Sequence, residues 1–206
     1  MLTPAPKKNT VTVADLSYEL LHTDQYVYAA ITNNSEEILA ELRVQAVFLD
    51  AEDSPLFFSE YHLSPLCPRV TEYAEFYIQT DDFGEPIAYE KVKLLLYPGE
   101  YAYTNTQCTE EITYKGFISP YSRELLIHCI NNGDHPIETV EFSVLFYHED
   151  EQLCKVGTAY FGPLPQGEQG LYTYVDLPED WDPETGTYQI FLTNAECYTE
   201  EPETCE

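Results

Sequence analysis

The sequence predicts an all-β chain made of two tandem β-sandwich domains related by an internal repeat, and three observations carry that prediction. Short runs rich in Val, Ile, Thr, Tyr and Phe are separated by Asn, Asp, Gly and Pro, and no stretch shows a 3.6-residue apolar period. The 206 residues are 44% hydrophobic and 14% aromatic, enough for two packed cores in domains of roughly 100 residues each. Finally, a gap-free shift of 98 residues lays Asn33-Asn34 on Asn131-Asn132, Phe48 on Phe146, Pro65-Leu66 on Pro163-Leu164, Asp82 on Asp180 and Leu94 on Leu192. Phe83 falls on Trp181 under the same shift. A period near 100 suits a self-contained sandwich and is too long for a solenoid unit.

Alternation places the strands, because side chains at i, i+2 and i+4 line one face of a sheet. In the first copy, strands are expected over 11–20, 25–32, 41–49, 56–63, 71–79 and 90–97. The second runs Val27, Ala29, Ile31 on one face and stops at Asn33-Asn34-Ser35, residues that tolerate turn dihedrals. The third turns Leu42, Val44, Ala46 and Phe48 inward and Arg43 and Gln45 outward. In the second copy, strands are expected over 111–118, 123–130, 139–147, 153–161, 170–176 and 187–193. The expected domains are 11–98 and 111–198, joined by a linker over 99–110 and followed by an acidic tail over 199–206. Tyr101 and Tyr103 predict a linker that packs against a module. The copies differ most at Cys67-Pro68-Arg69 against Pro165-Gln166-Gly167.

Thirty-seven acidic residues face nine Lys and Arg, for a formal charge of -28. That field repels phosphate backbones and anionic lipid, which excludes nucleic acid as a partner, and it keeps a Tyr-rich surface in solution. There is no run of 18 apolar residues, so no transmembrane segment is expected, and residues 1–10 lack the apolar core of a signal peptide. Their Pro, Lys, Asn and Thr composition resembles the tether left after a signal or lipid anchor is removed, so an extracellular or cell-surface location is expected, with the cytoplasm as the alternative.

Of six cysteines, Cys108, Cys197 and Cys205 are the disulfide candidates, and Cys129 is expected on the inward face of its strand. Five scattered His and no CxxC offer none of the short spacings of a zinc site, so no metal and no cofactor are expected. The acidic turns are read as solvated, with Ca²⁺ as the alternative ligand; they comprise Asp50, Glu52, Asp53 and Glu149, Asp150, Glu151, then Asp81, Asp82, Glu85 and Glu179, Asp180, Asp182, Glu184.

The segment Val140-Glu141-Phe142-Ser143-Val144-Leu145-Phe146-Tyr147-His148-Glu149-Asp150, followed by Gly162-Pro163-Leu164-Pro165-Gln166-Gly167-Glu168, resembles the FxLYD-type domains of bacterial surface proteins. The first copy keeps the strand end at Phe48-Leu49-Asp50 and lacks the Gly turn. The resemblance implies immunoglobulin-like sandwiches in an exported protein, with no catalytic residues to carry over.

Nucleophile elbow, phosphate-binding loop, dinucleotide turn and HExxH signatures are absent, so no enzyme is expected. With 18 Tyr, more than two small cores absorb, some should form a surface for protein contact; Tyr26, Tyr28, Tyr101, Tyr103, Tyr172 and Tyr174 are the candidates, against a purely structural role covering sheet edges and the joint. The function expected is a noncatalytic binding or spacer module of an exported bacterial protein, acting through protein–protein interaction. An intracellular acidic adaptor for a basic protein and a carbohydrate-binding module are the alternatives. The partner's identity and the oligomeric state are not written in the sequence.

Overall fold

The computed structural model describes residues 7–103, 105, 107 and 109–197; Cys108, Cys205 and the acidic tail lie outside them. The chain divides into two compact units, Met1–Tyr103 and Thr104–Glu206. The first carries β1 (Leu16–His22), β2 (Tyr26–Asn33), β3 (Leu42–Leu49), β4 (Pro55–Leu63), β5 (Thr71–Tyr77) and β6 (Lys91–Pro98). The second carries β7 (Ile112–Ile118), β8 (Glu124–Asn131), β9 (Ile137–Tyr147), β10 (Leu153–Phe161), β11 (Gly167–Asp176) and β12 (Thr187–Cys197). Among the described residues no helix is long and apolar enough to cross a membrane.

Each unit is a sandwich of two three-stranded antiparallel sheets, β1-β2-β5 with β4-β3-β6 and β7-β8-β11 with β10-β9-β12. The all-β, two-part architecture read from alternation is therefore the observed one. In β3, Leu42, Val44, Ala46 and Phe48 are fully buried and alternate with half-buried Arg43, Gln45, Val47 and Leu49. They meet Val27, Ala29 and Ile31 of β2 in one core, and Leu125, Ile127 and Cys129 of β8 meet Val140, Phe142, Val144 and Phe146 of β9 in the other. Burying each large aliphatic or aromatic side chain contributes about 1.5–3 kcal/mol, which is what fixes the register, since a one-residue slip would turn the whole set to water.

The internal repeat extends to loop detail. Both Ser64-Pro65 and Gly162-Pro163 are cis, and Asp53 and Glu151 occupy the same left-handed turn position. Arg69 (φ 62) stands where the second unit has Gly167 (φ 113), so the two loops that differ most in sequence make the same turn. The parallel bridges Asn33 to Pro68 and Asn131 to Gln166 match as well.

The shift of 98 holds from β2 through the turn at Arg69 and Gly167 and fails outside that span. Leu16 pairs with Asn33 but Ile112 with Asn131, which relates the first strands by 96, because the turn between β7 and β8 is two residues longer than that between β1 and β2. Ala30 faces Tyr73 while His128 faces Tyr172, a relation of 99 produced by the register shift between Gly167 and Leu171 in β11. Leu94 pairs with Ala46 and Ile190 with Val144, so Leu94 corresponds to Ile190 and not to Leu192. Conserved spacing belongs to the core of the sandwich, and turns and a bulge absorb the differences.

Residues assigned by sequence to the linker are divided between the units. Gly99 N–H donates to Glu41 O (2.8 Å), Ala102 N–H donates to Lys7 O (2.9 Å), and Ala102 bridges Leu39 in the first unit. Gln107 bridges Glu196 in the second.

One half-buried acid makes stability pH-dependent. Glu141 lies opposite Tyr160 and Asn194; burial raises its carboxyl above the ordinary value, partly offset by a hydrogen bond to Asn194. The folded unit thus holds this proton more readily than the unfolded chain, so the penalty is complete above the raised value and vanishes as pH falls below about 4.5. Glu141→Gln is expected to stabilise the second unit at pH 7 and to have no such effect at pH ~4. Urea unfolding followed through Trp181, the only Trp, checks this; an equal shift at both pH values would refute it.

Candidate functional site

The outer face of the β7-β8-β11 sheet presents an open apolar surface. Leu125, Ile127 and Cys129 of β8 point into the core, which leaves Leu126, His128 and Ile130 on the opposite face. Across the ladder, Leu126 lies between Phe117 of β7 and Tyr174 of β11, and His128 lies between Lys115 and Tyr172. The rings touch: Phe117 meets Tyr172 edge-on at 6.0 Å, and His128 lies against Tyr172 at 4.7 Å. Tyr172 and Tyr174 are nevertheless 60% and 57% exposed. Next to the Leu126 row, Glu124 and Asp176 face one another directly, a like-charge pair that disfavours the bare surface and favours a cation across it.

The sequence reading identified Tyr172 and Tyr174 and missed Phe117, Leu126, His128 and Ile130. The signal was present in Leu125-Leu126-Ile127-His128-Cys129-Ile130, a strand apolar on both faces where a one-sided sandwich strand would alternate.

On the corresponding face of the first unit the central tyrosine is covered. Tyr28, expected to point outward into solvent, is only 1% exposed. It sits on the outer face of the central strand β2, between Leu21 and Glu75, and Tyr26 covers it with ring centroids 5.8 Å apart. Tyr26 in turn meets Tyr77 edge-on at 5.6 Å; burial, with the negative charge of Glu75, raises the Tyr26 hydroxyl above its ordinary value. Tyr28 is thus removed from any contact surface, and Tyr26 is half-buried in the same cluster. Tyr101 is exposed and Tyr103 half-buried, both on the segment that belongs to the first unit.

Many acids assigned to turns bond their own backbone. Asp50 Oδ1 accepts from the N–H groups of Glu52 (2.9 Å) and Ser54 (2.8 Å), and Asp81 Oδ1 from those of Phe83 (2.8 Å) and Glu85 (3.0 Å). Asp150 and Asp182 do the same for Gln152 and Glu184. These are Asx turns, which is why acids are found in the corresponding turns of both units.

Cys129 is buried in the core as its strand position predicts, and Cys197 is disulfide-bonded. Burial pushes the Cys129 thiol up to about 12. Burial first, then the Asp180 carboxylate, pushes the Cys154 thiol up to about 12 as well. Neither is a thiolate nucleophile at neutral pH. No protein-family model matches the chain, and no curated protein matches it.

Proposed function

We propose that the chain is a noncatalytic binding module of an exported, FxLYD-type bacterial surface protein, and that it engages a protein partner through the outer face of the β7-β8-β11 sheet. The observation that carries this reading is the cluster of Phe117, Leu126, His128, Ile130, Tyr172 and Tyr174 on one face, with the two tyrosines more than half exposed. Rigid aromatic side chains lose little entropy on binding and supply large contact areas, so they dominate many interfaces. The facing pair Glu124 and Asp176, on a chain of charge -28, selects a partner that sets a basic side chain beside an apolar anchor. The disulfide at Cys197 supports export, since such bonds persist in oxidising compartments, and weighs against an intracellular adaptor.

The test is a photo-crosslinking residue placed at position 172, 174 or 121 in the full chain on cells that display it. Tyr121 is fully solvent-exposed and lies in the turn between β7 and β8, not on the strands that carry the face. A discrete adduct from 172 and 174 but not from 121 is the expected result. Once that partner is purified, Tyr172→Ala is expected to weaken binding by about 2 kcal/mol, roughly thirtyfold. Adducts that are equal at all three positions, or absent, count against the proposal. The exposure of two Tyr on one flat sheet also suits a carbohydrate, and glycan-array binding lost in Tyr172→Ala and Tyr174→Ala would favour that second reading over the first.

A further inference from the structure

We propose that His148, Cys154 and Asp180 form a binding site for a divalent transition metal, with zinc the best fit, in the second unit. The inference is independent of the sheet face described above. Cys154 Sγ donates to Asp180 Oδ1 at 3.3 Å, His148 Nε2 lies 3.9 Å from Asp180 Oδ2, and one ligand atom from each residue lies within 4.8 Å of the other two. Bonds of about 2.0 Å to N and O and about 2.3 Å to S imply tetrahedral ligand-to-ligand edges of about 3.3–3.6 Å, so the three side chains need only small rotations to share an ion. A thiolate with an imidazole selects zinc or a similar metal over Ca²⁺ or Mg²⁺, and the carboxylate completes a three-ligand set with the fourth position open.

Three local devices bring these residues together over a span in sequence that no spacing motif covers. His148 directly follows β9, and its N–H donates to Gln152 O (2.9 Å), closing a tight turn in which Glu151 has φ 65. Cys154 is the extra residue of a bulge, since Leu153 pairs with Tyr147 and Lys155 with Phe146, and a bulge re-aims the side chain it carries. Asp180 is delivered by its neighbour: Trp181 is buried and its indole N–H donates to Tyr147 O (2.9 Å), one residue from His148. Arg123 holds the start of the same loop through Pro178 O (2.6 Å).

The first unit shows that the fold does not require these ligands. It has the same turn, closed by the Asp50 N–H donating to Ser54 O (3.0 Å) with Asp53 at φ 62, and the same bulge. Phe48 pairs with Phe57 and Leu49 with Pro55, which leaves Leu56 as its extra residue. Asp50 and Leu56 occupy the places of His148 and Cys154. The thiol and imidazole are thus additions to a scaffold that folds with neither. Binding releases the Cys154 proton to solvent as the sulfur–metal bond forms, with no change of oxidation state.

Titration of the full chain with Co²⁺ alone tests the site. The expected result is a thiolate-to-cobalt charge-transfer band with tetrahedral visible bands, saturating at one equivalent and displaced by Zn²⁺. Cys154→Ser should abolish the charge-transfer band, and His148→Gln should weaken Co²⁺ binding at least about a hundredfold. Asp150→Asn, an acid in the same turn, should leave both unchanged. A wild-type chain that gives no thiolate band, or a band that survives Cys154→Ser, overturns the proposal. Weak uptake by the acidic surface is told apart because it produces no sulfur-to-metal absorption.

Discussion

Trp181→Ala is expected to lower the stability of the second unit by about 3–5 kcal/mol, a fall in melting temperature of more than about 10 °C. The indole is 2% exposed, packs edge-on against Phe146 with centroids 5.3 Å apart, and donates to Tyr147 O. Gly186 lies so close beneath it that any Cβ there would overlap the indole nitrogen, so the loop is shaped to this one side chain. Phe83, the residue that the 98-residue shift aligns with Trp181, is 90% exposed, and Phe83→Ala is expected to change stability by less than about 0.5 kcal/mol. In the first unit Tyr89 does the corresponding work: it meets Phe48 edge-on at 5.0 Å, and its hydroxyl bonds His22 Nδ1 at 2.9 Å. Urea unfolding followed by circular dichroism, with amide exchange resolving β8 and β9 from β2 and β3, separates the two variants. Comparable costs for Trp181→Ala and Phe83→Ala would show that the aromatic is not the keystone of that loop.

That contrast marks where sequence reasoning stops working. The central strands were legible because burial on one face imposes period-two alternation, and Leu42, Val44, Ala46 and Phe48 obey it in full. Their counterparts in β9 lie at the predicted shift for the same reason. Phe83 and Trp181 lie instead in the long connection after the fifth strand of each unit, where the chain can fill one core position from either end of the loop. A single shift cannot express that freedom. Tyr28 defeated the outward reading in a different way: alternation gives the face, but cover on that face comes from Tyr26, placed by pairing and not by sequence period. For the face at Tyr172 the tyrosines were read outward correctly, but their neighbours Phe117, Leu126 and His128 come from β7 and β8, and pairing between strands, not sequence period, sets them beside Tyr172 and Tyr174. The His148, Cys154 and Asp180 cluster was invisible for the plainest reason: turn, bulge and loop bring together residues that have no common spacing.

Asn131→Ala is expected to cost the second unit about 3–5 kcal/mol, and Asn33→Ala a similar amount in the first. Both residues are fully buried, which for an uncharged amide is tolerable only when its hydrogen-bonding groups are used. Asn131 Nδ2 donates to His135 O (2.7 Å) and Leu164 O (3.3 Å), while its Oδ1 accepts from Gly133 N–H (2.9 Å). Asn33 repeats the pattern with Glu37 O (2.8 Å), Leu66 O (3.0 Å) and Ser35 N–H (3.0 Å). One amide thus joins the turn after the second strand to the loop beside the cis-Pro, and alanine strands backbone groups from both at about 1–3 kcal/mol each. Asn131→Asp separates this account from simple loss of packing, because it keeps the shape and the acceptor but presents oxygen where two carbonyls require a donor. Its carboxyl would be raised by burial and by those carbonyls, so the folded form would hold the proton more tightly than the unfolded one. The penalty is then complete above the raised value and shrinks as pH falls toward the ordinary carboxyl range. Trp181 fluorescence in urea should therefore show Asn131→Asp far less stable than the parent at pH 7 and partly recovered at pH ~4, with Asn131→Ala showing no such recovery. If Asn131→Asp and Asn131→Ala instead respond to pH alike, the amide serves as filling and not as the clasp between two loops.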